Sequence, residues 1–456
     1  MKKLLDRSLL AGFLNSIKGI EIITDPEQVG RLSLDYYHFS PVLIPQLQDK
    51  RADVIVRPQT EAEVIKVAHA CAEYQVPLTI RGAGTGNYGQ CVPLRGGIVM
   101  DMTKLASIEI QSNGIAQVQA GARLINIEKQ ARQQGWELRM FPSTLKTATI
   151  GGFIAGGSGG IGSLRYGQLR DRGNVRSARI ITIETLPQIM HLEGEQVQQI
   201  NHAYGTNGII TELGIPLAPA ILWIETIVVF DDFMTCAHFG NALGKCDGIT
   251  CRMISVHEHP IPAYFSAMAD SLPRGCHCAL VLVANTDYGA FAELVAEWGG
   301  TITYQQPAGD RGLSLVEFSW NHTTLHARAV DPQITYLQSL FVHDPDLQLI
   351  QHLTEHFAGE VFMHLEFIRM GGKVVPAGIQ LLKFTTVDRL QEIIDYHEQK
   401  GVLIANPHTY ILEDGGMKTV DQRQLEFKRR ADPHNLLNIG KTRTVITSGR
   451  AGSPIL

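Results

Sequence analysis

Arg81-Gly-Ala-Gly-Thr-Gly-Asn-Tyr-Gly-Gln90 follows the apolar run Val76-Pro-Leu-Thr-Ile80 without a break. A short run rich in β-branched residues reads as a buried strand. Past its end, Gly82, Gly84, Gly86 and Gly89 release the backbone from Cβ sterics. The N–H groups from Arg81 through Ala83 and Thr85 to Tyr88 can then turn into one concavity and hold an anion. Gly84-x-Gly86-x-x-Gly89 has the letters of a dinucleotide fingerprint, but that fingerprint opens a helix. Here the continuation Cys91-Val-Pro-Leu-Arg-Gly-Gly97 carries Pro93 and two glycines, which a helix interior does not tolerate. A phosphate cradle without a helix dipole behind it needs a second wall.

The stretch Pro142 to Gly162 is that wall. It holds three Gly-Gly pairs and a spread of hydroxyls. So much glycine weakens any regular element unless a ligand or another backbone must come close. A flexible Gly/Ser linker is the alternative, but Ile150, Phe153, Ile154 and Ile161 are threaded through the stretch. The residues expected to line it are Pro142, Ser143, Thr147, Gly151, Gly152, Gly156, Ser158 and Gly159. Two glycine walls suggest one long ligand with a pyrophosphate in the middle.

These two segments, then Gly205-Thr-Asn-Gly-Ile-Ile-Thr-Glu212, then Asp432-Pro-His-Asn-Leu-Leu-Asn-Ile-Gly-Lys441, appear in that order along nearly the whole chain. Together they resemble the signatures of the vanillyl-alcohol oxidase/p-cresol methylhydroxylase flavoproteins. Within them the chain is most similar to the FAD-linked 2-hydroxyacid dehydrogenases, such as glycolate oxidase FAD subunits and D-lactate dehydrogenases. The resemblance implies FAD, with Gly208 and Ile210 on its adenine side and Asn438 closing the site. It also implies a flavin-linked oxidation of a small hydroxy acid or alcohol; the alternative is a partner-dependent flavoprotein subunit without turnover of its own. Electrons would leave to oxygen, a quinone or a redox partner protein. Some relatives bind flavin covalently through a histidine at the place of Thr85, so non-covalent FAD is expected here. Ile439 stands where the family usually has proline.

Oxidising a hydroxy acid further requires a proton acceptor and a cation for the carboxylate. Histidine suits the first because it titrates near neutral pH. Of the 17 histidines, His408 follows Pro407 at the end of the last expected cap strand, where the family presents residues to the flavin. His322 and His326 are four apart and share a face if their segment is helical. For the carboxylate, period-two alternation in Phe362-Met-His-Leu-Glu-Phe-Ile-Arg369 sets His364 and Glu366 on one face and Arg369 with the apolar residues. Arg369 reads either as the substrate's bidentate partner or as a strand-end arginine in solvent. The metal motif of some hydroxyacid relatives recurs only partly in His408 to Gly416, and no metal is expected.

The elements that must position these groups begin with an N-terminal segment, residues 1–50, whose Asp35-Tyr-Tyr-His-Phe-Ser-Pro41 is either surface or a cover for the cofactor. Residues 51–220 read as an α+β cofactor domain. In it Val54-Ile-Val56 is a strand, Thr60-x-x-Glu63 a capping box opening the helix Glu61 to Tyr74, and Glu195 to Tyr204 a helix. Residues 221–410 read twice as β-α-β-β-α-β, hence two ferredoxin-like halves joined through Arg311 to Arg328. The resemblance makes them an antiparallel cap over the flavin. Within residues 411–456, Leu425 to Leu437 is predicted as a helix returning to the cofactor domain.

A chain of 456 residues, 44% hydrophobic and 19% charged, has the balance of an ordinary globular protein of two or three domains. A net charge of −5 offers no argument for nucleic acid or an anionic membrane. No apolar run approaches the roughly 18 residues of a membrane span, and Asp6 and Arg7 interrupt the only candidate leader. Seven cysteines without Cys-x-x-Cys argue for a reduced, cytoplasmic protein, with Cys276 and Cys278 read as core rather than metal ligands. The sequence leaves a homodimer open.

Overall fold

In the computed structural model, residues 6–309, 314–415 and 422–443 are described. The start of the Arg311 to Arg328 connection, Gly416 and the tail beyond residue 443 lie outside them.

Val54–Arg57, Ile98–Asp101 and Leu78–Arg81 run parallel in a four-stranded sheet, with Glu21–Ile23 antiparallel on its edge. Helix Glu61–Glu73 starts at Thr60, whose Oγ1 accepts from the Glu63 amide at 3.2 Å, while the Glu63 carboxylate accepts from the Gln59 amide at 2.6 Å. The Thr60 cap thus sits where the Thr-x-x-Glu spacing put it, but Glu63 reaches the amide before the cap and not that of Thr60, so the reciprocal half of a capping box is not formed. Val64, Val67, Ala68 and Cys71 form the buried stripe of this helix. The glycine loop after Leu78–Arg81 contains no helix, and the next element is the strand Ile98–Asp101.

A second sheet holds Ile108–Ile110, Ile115–Gln119, Ile209–Pro219, Ser177–Ile181 and Ile189–Glu193 in that spatial order, with Trp136–Leu138 paired to the far end of Ile209–Pro219. The strand Ile189–Glu193 has no sequence forecast. It is an edge strand burying only Leu192, so its apolar alternation is faint. The helix expected over Glu195 to Tyr204 is shortened to a 3-10 stretch, Gly194–Gln199. His202 and Tyr204 adopt φ of +52° and +51°, a left-handed conformation that no α-helix accommodates.

The third sheet is the largest. Its main path runs Thr301–Pro307, Trp223–Phe230, His277–Ala284, Cys251–His257, His364–Met370, Lys373–Lys383, Ile334–Leu340, Leu403–Ala405. Numbered by sequence within each unit, the first four strands are ordered 4-1-3-2 and the last four 2-3-1-4. The two β-α-β-β-α-β units therefore fuse into one sheet, at the seam where Ser255 lies opposite Glu366 and His257 opposite His364. Helices Phe233–Lys245, Tyr288–Glu297, Gln348–His356 and Val387–Gln399 bury one face of this sheet, with Val256, Leu365 and Phe367 beneath them. Its other face shares a continuous core with the second sheet, from Val118 and Leu213 to Leu280, Tyr336 and Ile379. Cys278 belongs to that core, as its strand spacing suggested.

Two contacts return the chain to its beginning. After helix Gln422–Ala431, the Leu78 amide donates to the Leu436 carbonyl and the Asn438 amide to the Leu78 carbonyl, both at 2.8 Å. This helix begins three residues earlier than predicted and stops at Ala431, well before Leu437, because Pro433 follows and disfavours helical backbone at Asp432. Among the described residues no helix is long and apolar enough to cross a membrane.

Candidate active site

The two glycine segments lie against each other. A Cβ built on Gly82 would sit 2.1 Å from Thr149 Oγ1, and the Gln90 side chain donates to the Gly156 carbonyl at 3.0 Å. Gly84 has φ +70°, and a Cβ there would strike the Arg81 guanidinium at 2.1 Å. Arg81 itself is folded beneath the loop, where it donates to the carbonyls of Leu34 and Ala83. Thr85 follows Gly84 at the crest of this turn, and the Gly86 carbonyl accepts from the Tyr36 amide at 2.8 Å. The aromatic N-terminal segment is therefore a support for the first loop.

The second segment contains more regular structure than its glycines suggested: Ile150–Gly156 is a short helix with Ile150, Phe153 and Ile154 buried. Its glycines serve packing, since a Cβ on Gly151 would lie 2.7 Å from the Ala120 side chain and 2.9 Å from its carbonyl. Pro142 and the buried Ser143 precede it, and Thr147 Oγ1 donates to the Thr144 carbonyl at 3.3 Å. Gly152 borders Thr149, the Ser158 carbonyl accepts from Leu169, and Gly159 faces the Trp320 ring. Thr149 Oγ1 is buried and has no hydrogen-bond partner among the described residues. That orphaned hydroxyl, beside a glycine that leaves room for it, fits the polar edge of a bound cofactor.

Asn438 closes the arrangement. Its Oδ1 accepts from the Ile80 amide at 3.0 Å, and its Nδ2 donates to the carbonyls of Tyr204 and Gln90. Lys441, fully buried, donates to the Gly89 carbonyl. Burial pushes its pKa down to about 8 against the pull of Asp35, whose own carboxyl is raised to about 6 by burial. This buried pair behind the first loop was not read from the sequence; Lys441 was visible there only as the end of a signature. Tyr88 donates to the Gln338 side chain, which fastens the first loop to the large sheet, and stacks on Tyr204 at 6.4 Å. Gly208 and Ile210 lie together at the start of strand Ile209–Pro219, where a Cβ on Gly208 would meet Ile180 at 2.6 Å.

The candidates His408, His322, His326 and Arg369 each find a place in the packing. His408 is 6% exposed, and both its ring nitrogens are engaged: Nε2 donates to the Tyr336 carbonyl at 3.0 Å, leaving Nδ1 to accept from the Ser40 hydroxyl at 2.8 Å. Burial lowers its pKa to about 4. The neutral ring is locked and presents no free nitrogen, so here it positions Ser40 and strand Ile334–Leu340 and does not act as a ready base. His322 and His326 do share the helix Asn321–Val330. His326 bonds the Glu317 carbonyl at 2.9 Å and stacks on Phe318 at 4.7 Å, a packing role. Burial holds His322 at about 4, with the Glu317 carboxylate opposing. Arg369 lies on the helix-covered side of its strand, donating to the carbonyls of Leu164 at 3.2 Å and Gly372 at 3.0 Å. Backbone carbonyls satisfy it, on the face opposite His364 and Glu366, so it is not placed as a carboxylate anchor.

The polar groups that do gather on the sheet face toward the second glycine segment are Ser255, His257, His364 and Glu366. Ser255 Oγ donates to Glu366 Oε1 at 2.7 Å, His364 Nε2 lies 2.9 Å from the same oxygen, and the Trp320 amide donates to it at 2.7 Å. The two histidine rings stack at 4.5 Å. The alternation of residues 362–369 put His364 and Glu366 on one face; the contribution from Cys251–His257 came only with the seam. Among the described residues no three His, Cys, Asp or Glu side chains are disposed to hold a metal ion.

Residues 52–185 match the FAD binding domain family. The chain is 31% identical over 193 residues to a D-lactate dehydrogenase of Anaerostipes hadrus, covering 39% of each protein. It is 29% identical over 210 residues to the glycolate oxidase subunit GlcD of Bacillus subtilis, covering 43% of this chain and 42% of that one. With the mitochondrial D-2-hydroxyglutarate dehydrogenase of Rattus norvegicus it shares 28% identity over 264 residues, 55% of this chain and 46% of the relative. The chain thus spans less than half the length of these relatives. A solved alkyldihydroxyacetonephosphate synthase superposes with a TM-score of 0.71 over 94% of this chain and 84% of its own, at 17% identity, which shows a common fold. The glycine segments, the C-terminal return and these matches converge: the chain is a flavoprotein whose residues 52–185 are an FAD-binding domain.

Proposed function

We propose that this protein is an FAD-dependent oxidoreductase that oxidises the CH–OH group of a small 2-hydroxy acid, glycolate- or D-lactate-like, or of a related alcohol. The observation that carries the reading is the link between two polar clusters. Trp320 sets its ring beside Gly159 of the paired glycine segments, between which Thr149 stands unsatisfied among the described residues, and donates its amide to Glu366, where Ser255 and His364 gather. The relatives bearing hydroxyacid dehydrogenase names support the substrate class.

Gly82 to Gly89 and Asn438 would hold the diphosphate side of FAD, and Thr149 to Gly159 the side toward the large sheet. Bound there without a covalent link, since Thr85 offers no imidazole, FAD supplies a two-electron acceptor. The chain's own part is to orient the substrate, exclude water and receive the hydroxyl proton. Oxygen, a quinone or a redox protein would then take the electrons.

Anaerobic mixing of the FAD-loaded protein with a panel of 2-hydroxy acids tests this: loss of the oxidised flavin absorbance with at least one acid is expected. Absence of bleaching with every acid overturns it. A second reading, a subunit that turns over only in an assembly, is favoured by the similarity to a protein named as a glycolate oxidase subunit. Bleaching by an acid in the isolated chain would exclude that second reading.

A further inference from the structure

His364 carries a buried nitrogen that no described residue uses. The ring is 0% exposed; its Nε2 lies 2.9 Å from Glu366 Oε1, and its Nδ1 has no hydrogen-bond partner among the described residues. A carboxylate accepting from Nε2–H sets the tautomer and leaves the lone pair of Nδ1 free. Glu366 is itself held by the Ser255 hydroxyl and the Trp320 amide, so the imidazole is oriented through a fixed carboxylate.

Trp320 connects this pair to the cofactor side. It has φ +51° and ψ −141°, a conformation that a bulky side chain adopts only when its surroundings impose it. In that posture its amide reaches Glu366 while its ring approaches Gly159 of the second glycine segment, 3.7 Å from where a Cβ would stand. One strained residue thus touches both the carboxylate and the wall assigned to FAD. Across the sheet His364 lies opposite His257 on one side, and on the other side the next residue, Leu365, pairs with Gly378.

We infer that His364 Nδ1 is the docking point for the substrate hydroxyl and accepts its proton, with Glu366 as the positioning residue. The inference rests on the proposed oxidoreductase reading and deepens it. As the carbinol C–O bond becomes a carbonyl, the hydroxyl proton passes to Nδ1, and the α-hydrogen leaves with its bonding pair as a hydride for which FAD is the oxidant. The groups facing His364 are Glu366, Ser255 and the stacked His257, behind which stand Thr323 and Cys278. His257 is the poorer acceptor, since it lacks a carboxylate partner and burial holds its pKa well below the usual histidine value.

The test begins without flavin. In apo-protein labelled with 15N-histidine, added glycolate or D-lactate should shift the Nδ1 resonance that is missing from His364→Gln; no shift with either acid overturns the inference. In the FAD-loaded protein, His364→Gln should slow anaerobic flavin reduction by about 10²–10⁴-fold while retaining FAD, and reduction at the parent rate overturns it. Where His364→Gln does not fold, Glu366→Gln serves, with slower reduction and a displaced pH profile expected; an unchanged rate and profile overturn the inference. A shifted resonance in a parent that no acid reduces would sink the oxidoreductase reading and leave the hydroxy-acid site standing.

Discussion

Glu137 and Arg252 lie 3.4 Å apart, both almost sealed from solvent, and join the strand Trp136–Leu138 to the seam strand Cys251–His257. Glu137 also accepts from Trp223 Nε1 at 3.0 Å and from Arg132 at 2.7 Å, while Arg252 donates to the Leu138 carbonyl at 2.6 Å. Arg252→Met removes one cation of this cluster and its bond to the Leu138 carbonyl, but Arg132 still pairs with Glu137, so the cost is that of a lost buried polar partner, about 1–3 kcal/mol, and not that of a stranded charge. Arg252→Met should therefore lower the unfolding free energy in urea by that order, although methionine fills much of the volume. A loss below roughly 1 kcal/mol would show that the pair does not fasten the two sheets.

Thr149 separates cofactor binding from folding. Its buried hydroxyl has no partner among the described residues, so Thr149→Val removes no hydrogen bond seen in the apo fold. The apo melting temperature should stay level or rise. FAD affinity should fall about three- to tenfold, the loss of one ordinary hydrogen bond. Unchanged affinity would place the cofactor elsewhere.

Gly84→Val should abolish FAD binding, because a side chain at φ +70° strains the loop and displaces Arg81. Gly289, with nothing within 4 Å, is the proper comparison, and Gly289→Val should bind FAD as the parent does. Acid precipitation of the yellow parent should release FAD to the supernatant; flavin retained in the pellet would contradict non-covalent binding.

His408 gives a pH dependence with a definite sign. Its pKa falls from 6.5 in the free side chain to about 4 in the fold, so below 6.5 the unfolded chain binds the extra proton. The stability this neutral ring confers is present above pH 6.5 and is lost progressively as the pH falls toward 4. In that window the parent's unfolding free energy should drop more steeply than that of His408→Gln, by up to about 1.4 kcal/mol per pH unit. Equal slopes would mean that the ring is not held neutral.

Local pattern was enough for much of this protein. Glycine spacing marked the two segments that lie against each other, because freedom from a Cβ is a property of the residue itself. The Thr60 cap, the stripe Val64 to Cys71 and the alternation of His364 and Glu366 against Leu365 and Phe367 all follow from periodicity within one element. Tertiary structure decided the rest. Ser255 meets Glu366 across 111 positions of sequence, and His408 meets Ser40 across 368, because strand order and loop closure are set by which faces can be buried together. The same closure satisfied His408 and Arg369 with partners no spacing could reveal, and left His364 Nδ1 without a partner among the described residues, in an environment assembled from both halves of the sheet.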